Sequence, residues 1–246
     1  MKNLAVASLV VLAAACGGDD HAKGTINTAN AKASVENVGK INAAMAAGNG
    51  ANAASAVQAM TSAGQSLVSP AGTPQGRLVG LLPESFPRSD LSRAVSGTAD
   101  CTATGCTFTN YGDDSTGSSW LINGKVSRSG DTTSFDITYD VTAGGTSVKW
   151  AIDGSVTITA TSVDGSIHSH GVTNVAAGSN NAGVNVTWDT SVDYDAITLD
   201  AQGCATGGKV HAVVSYNVSS GGNNGGAYDV EGTAVFGPAC GQVTAG

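Results

Sequence analysis

His168 and His170 are two metal-competent side chains one residue apart. In an extended strand alternate side chains share a face, so the imidazoles stand about 7 Å apart along it. A third ligand from a neighbouring strand would complete a chelate. The simpler reading is a solvated pair on a polar face, and it is the expected one. Asp193 and Asp195 flank Tyr194 and share a strand face in the same way. Asp113 and Asp114 adjoin Ser115, Thr116 and Gly117. Carboxylates of this kind suit Ca²⁺. Neither pair fits the D-x-[DN]-x-[DN]-G loop, so solvation and protection of a strand edge are expected instead. A glycosidase pair would want aromatic platforms, and aromatics are only 5% of the chain. There is no G-x-S-x-G elbow, H-E-x-x-H pair or P-loop, and no residue stands out as a nucleophile. A non-catalytic protein without cofactor or metal is expected.

The N-terminus carries an address. Lys2 supplies a positive charge, Leu4 to Leu12 a short apolar run, and Ala13 to Ala15 small residues before Cys16. The run falls short of the ~20 residues a spanning helix needs. Followed by Gly17, Gly18, Asp19 and Asp20, Cys16 resembles the lipobox of Gram-negative bacterial lipoproteins, with Ala13 where that family usually has Leu. The resemblance implies cleavage before Cys16 and acylation of its thiol and new amino group. It makes the membrane a partner through the acyl chains, and several chains anchor firmly where one does not. Gly17, rather than Asp, after the Cys implies the outer membrane, on its periplasmic face or at the cell surface. Residues 1–15 are then signal peptide, and 16–27 the lipidated Cys and polar tether.

Four further cysteines remain: Cys101, Cys106, Cys204 and Cys240. In an exported protein an even number points to disulfides. Three connectivities are possible, and Cys101–Cys106 with Cys204–Cys240 is preferred. The first closes a short turn, and the second ties the last strand segments together. Zinc ligation is disfavoured by the missing C-x-x-C pair and the oxidising compartment.

The 246 residues are 41% apolar and 12% charged, with formal net charge −8 and 34 glycines. That apolar content can build a core. The acidity gives no long-range attraction to nucleic acid.

Residues 28–68 are Ala-rich and helical in period. Val35, Val38, Ile41 and Met45 form one stripe, and Val57, Met60 and Leu67 another, divided by Gly48, Asn49 and Gly50. Two short helices are expected. Pro70, Pro74, Pro83 and Pro87 mark residues 69–94 as a linker or wrapping loop. From 95 to 246 the period becomes two, as in Phe135, Ile137, Tyr139 and Val141, or Val210, Ala212, Val214, Tyr216 and Val218. The segments Trp120 to Val126 and Trp150 to Val156 share W-x-I-[DN]-G-x-V. A two-residue hairpin at each Gly would set Ile152 against Ser155 and spoil the apolar face. A continuous strand keeps Trp150, Ile152, Gly154 and Val156 together, with the Gly marking a bend or close packing.

Turns are expected at Ser129 to Asp131, Ala143 to Gly145, Val163 to Gly165, Ala176 to Gly183, Ala201 to Gly208 and Ser219 to Gly226. The fold class is mainly β: an antiparallel meander of about eight or nine long strands, as a curved sheet, open barrel or sandwich, preceded by two Ala-rich helices. Trp120, Trp150 and Trp188 keep phase with the aliphatics and belong to the core. The expected function is a lipid-anchored envelope protein that binds a protein partner or an apolar ligand. An integral outer-membrane barrel is the alternative, and a hydrolase a weaker one.

Overall fold

A computed structural model describes residues 22–23, 25–65, 68–69, 96–115, 118–177, 183–221 and 223–246. Cys16, His21, Leu67, Thr116, Gly117 and the four prolines of the linker lie outside the described residues. The chain enters as β1 (Ala22–Lys23) and β2 (Thr25–Ile26). At the end of the expected tether the chain is ordered, because β1 pairs with the last long strand and Ile26 is buried in the core. Helices α1 (Thr28–Ala46) and α2 (Gly50–Gln65) follow, then β3 (Val68–Ser69), which pairs with β2. The Asn27 side chain accepts from the backbone N–H groups of Ala29 and Asn30, capping α1. Asn49 Oδ1 accepts from Asn52 N at the start of α2.

Nine long strands form an antiparallel meander. They are β4 (Ser96–Thr102), β5 (Gly105–Ser115), β6 (Ser118–Ser129), β7 (Thr132–Ala143), β8 (Thr146–Ile158), β9 (Ser162–Val175), β10 (Val184–Leu199), β11 (Ala205–Ser220) and β12 (Asn223–Phe236). Each pairs with its neighbour in sequence; β1 and the short β13 (Val243–Ala245) both lie on the outer edge of β12.

The sheet must curl. Nine flat strands would span roughly 38 Å at about 4.8 Å per step. Yet α1, 19 residues and about 28 Å long, touches both β4 at one edge and β13 beyond the other, and apolar side chains from every long strand join the helices in one core. Edge strands β4 and β12 do not pair with each other among the described residues. The result is one open sheet wrapped around a helix pair.

The inward face carries the alternating apolar residues. Ile122, Ile137, Ile152, Val156, Val210 and Val214 are buried against Val38, Ile41, Met45, Ala53, Val57 and Met60 of the helices in one core. The small residues of α2 permit close approach. Two contacts fix α1 on the sheet. Thr133 Oγ1 donates to Asn42 Oδ1 at 2.7 Å, and the Ser34 hydroxyl bonds Tyr194, whose phenol burial pushes up to about 12 despite that bond. Trp120, Trp150 and Trp188 are core residues, with Trp150 stacked on Tyr139 at 4.5 Å between ring centroids.

Both W-x-I-[DN]-G-x-V segments are continuous strands. Gly124 and Gly154 sit mid-strand at φ of 109° and 128°. A Cβ there would strike the Asp136 carbonyl oxygen or the Ser166 carbonyl oxygen on the next strand. Only glycine allows the strand to bend inward at those points.

Two expected turns are shorter than the sequence suggests, since Ala205 to Gly208 lie in β11 and Asn223 to Gly226 in β12, and a third is misplaced. Val163, Asp164 and Gly165 lie inside β9, not between strands. The reversal falls at residues 159–161, where Thr159 Oγ1 accepts from the N–H groups of Thr161 and Ser162. A Thr hydroxyl builds the turn, and Gly165 is another mid-strand glycine.

Candidate functional site

Strand pairing decides which polar residues meet on the outward face. In the β8–β9 ladder Asp153 stands opposite His168, and in the β9–β10 ladder His170 stands opposite Asp189. Because side chains alternate, all four project from the solvent side of three adjacent central strands. His168 Nδ1 lies 3.3 Å from Asp153 Oδ1. Its Nε2 lies 2.9 Å from both carboxylate oxygens of Asp189. The His168 and His170 rings are 5.3 Å apart, centroid to centroid. One ligand atom each from Asp153, His168 and His170 falls within 4.8 Å of the others.

Charge around the cluster is mainly negative. Asp136 stands opposite Asp153 on β7, with Lys125 one strand further. Partial burial alone would lower the His168 pKa. The hydrogen bonds to Asp189 and Asp153, with their charges, outweigh it and leave the imidazole above its ordinary value.

His170 and Asp189 also border an open trough of about 850 Å³ across the outward face. Its walls are two rows of outward residues, one through Thr138, Ala151 and Ser215, the other through Asp140, Lys149 and Thr187. Lys149 Nζ is 2.8 Å from Asp140 Oδ2, so this cation and anion neutralise each other along the second wall. The lining is therefore mixed, polar and apolar, with His170 and Asp189 midway along the first wall.

The remaining sequence candidates go elsewhere. Asp195 Oδ2 pairs with Lys209 Nζ at 3.0 Å. Asp193 stands opposite His211 on β11 and Ser166 on β9. His211 Nδ1 lies 3.0 Å from Thr233 Oγ1. Neither Asp193 nor Asp195 joins a metal-competent cluster among the described residues. The structure bonds Cys101 to Cys106 and Cys204 to Cys240, the pairing preferred from the sequence. Asp200 lies near the second pair, but those thiols are consumed by the disulfide. Asp200 Oδ1 instead accepts from the N–H groups of Gln202 and Cys204.

Asp153 and Asp189 were missed as partners of the histidines. The available signal was hairpin register: the turn expected at Ala176 to Gly183 already sets Asp189 opposite His170, whereas the misplaced turn at Val163 to Gly165 hid Asp153. A turn centred on Asp164 would set His168 against residue 160 rather than Asp153.

No helix among the described residues is long and apolar enough to cross a membrane. Comparison with family models, with curated proteins and with solved structures finds no match to this chain.

Proposed function

We propose that this chain is a lipid-anchored envelope protein that binds a partner on the outward face of its sheet, without catalysis. The observation that carries the reading is the division of the sheet into two unlike faces. Helices α1 and α2 pack the inward face with side chains such as Val38, Ile41 and Val57 at 0% exposure. The outward face holds the trough and the His/Asp cluster. This favours a polar partner over an apolar ligand carried inside. It also disfavours an integral barrel, which turns its apolar residues outward to lipid. Here Asp136, Asp153, Lys149 and Asp189 face outward and are exposed. The lipobox resemblance at Cys16 supports anchoring, and Gly17 supports the outer membrane.

Two measurements test this. Metabolic labelling with a fatty-acid analogue should mark the wild type and not Cys16→Ser. A photo-crosslinking residue at Thr187 should give a discrete adduct in intact envelopes, and one at Asn52 of α2 should not. Unlabelled wild type contradicts the anchor. A lipid co-purifying in native mass spectra, with no Thr187 adduct, contradicts the binding face.

A further inference from the structure

We propose that His168, His170 and Asp153 bind one Zn²⁺-class divalent ion on the outward face of the sheet. The proposal is independent of the partner reading above, since it concerns side chains whose placement the ladder fixes.

The donor set is two imidazoles and one carboxylate. Nitrogen with carboxylate oxygen suits zinc and copper(II), whereas calcium and magnesium want oxygen alone. In a tetrahedral zinc site ligand atoms lie roughly 3.4 Å apart, from metal–ligand bonds of about 2.0–2.2 Å. The three donors already lie within 4.8 Å of one another. Small side-chain rotations close the remainder, and exposure of the cluster leaves room for them. Asp153 side chain is 56% exposed and His168 40%.

Asp189 distinguishes this cluster from a chance meeting of polar groups. A metal-bound histidine almost always gives its other ring N–H to a carboxylate, which fixes tautomer and orientation. Asp189 holds Nε2 of His168 at 2.9 Å, leaving Nδ1 toward Asp153. Asp189 is therefore a positioning residue, and Nδ1 is the metal-facing atom. Three protein ligands leave a fourth position open, as in zinc sites that accept water or an outside donor. His170 borders the trough, so that position is accessible from it.

The test uses the full chain, purified without a polyhistidine tag, with zinc titrated against a chromophoric chelator. One zinc per chain should bind saturably, and excess Ca²⁺ should not displace it. His168→Gln, His170→Gln and Asp153→Asn should each weaken binding at least tenfold. Asp189→Asn should weaken it about 10- to 100-fold, the usual range for such a partner, and Asp189→Glu should restore it. His211→Gln, on the same face, should change nothing. Circular dichroism confirms that each variant is folded, and the exposed positions make the comparison fair. Absence of saturable binding in the wild type overturns the proposal. So does retention of binding in the His168→Gln/His170→Gln double variant, displacement by Ca²⁺, or an equal loss in His211→Gln. A neutral Asp189→Asn overturns its positioning role.

Discussion

The two faces of this sheet are made by the same strands, yet they follow different physics. Ile152 and Asp153 are adjacent on β8. Ile152 is 0% exposed among helix and strand side chains, while Asp153 faces solvent beside His168. The inward face is chosen by volume and shape, because a buried core is close-packed. The outward face is chosen by charge and hydrogen bonding, and little of the fold depends on it. Stability and chemistry are therefore separable in this protein, residue by residue along one strand.

The sharpest expected contrast lies in that pair. Ile152→Ala should cost about 3 kcal/mol, since it removes buried methyl groups and leaves a cavity. Asp153→Ala should stay within about 0.5 kcal/mol, as exposed substitutions usually do. Denaturant melts of the two variants check this. Similar losses for both would break the division of faces.

A smaller effect is expected at the helix that covers the core. Asn27→Ala removes the cap of α1 and should cost about 1 kcal/mol, read in the same melts. If it costs nothing, α1 contributes less to the core than its buried Val38 and Ile41 imply.

The inward face also carries an imperfection. Thr190 Oγ1 is buried without a hydrogen-bond partner among the described residues. Thr190→Val keeps the shape and drops the hydroxyl, so stability should rise by about 1 kcal/mol. A loss of that size would show that the hydroxyl is satisfied.

The mildest test is on the outward face. In metal-free protein the His168 imidazole should titrate above the ordinary 6.5. A folded-state pKa above the unfolded one means the stabilisation is fully present below about pH 6.5 and is lost as pH rises through the folded value. Ring-proton NMR should show this, and Asp153→Asn with Asp189→Asn should abolish the rise. An imidazole at or below the ordinary value contradicts the paired geometry.

Much of the inward face was legible in the sequence. Period-two alternation marked β7 and β11, and phase continuity carried β6 and β8 through Asn-Gly and Asp-Gly, where a hairpin signal competes. The Ala-rich stripes marked the helices because buried helix faces repeat every three or four residues. The outward cluster was half legible. His168 and His170 share a strand, so their common face follows from local periodicity. Asp153 and Asp189 lie 15 and 21 residues away, and only the exact register brings them in. For Asp153 that register hangs on the turn at Thr159, where a hydroxyl does what glycine was expected to do; for Asp189 it follows from the turn expected at Ala176 to Gly183. β1 was illegible for a related reason. Two residues have no periodicity, and Ala22 finds its place only once β12 exists.

The central claim is that the helix pair lies on the inward face and leaves the outward face to do the binding. Asn42 on α1 and Thr133 on β7 touch across that boundary, 91 positions apart in sequence. The most direct measurement is a short bifunctional thiol crosslinker applied to Asn42→Cys/Thr133→Cys in the native full chain. The account predicts an intramolecular link, found by mass spectrometry of the digest, that is lost when the protein is denatured before treatment. A native protein that gives no such link, while Asn42→Cys crosslinks readily to Asp153→Cys on the opposite face, would contradict it.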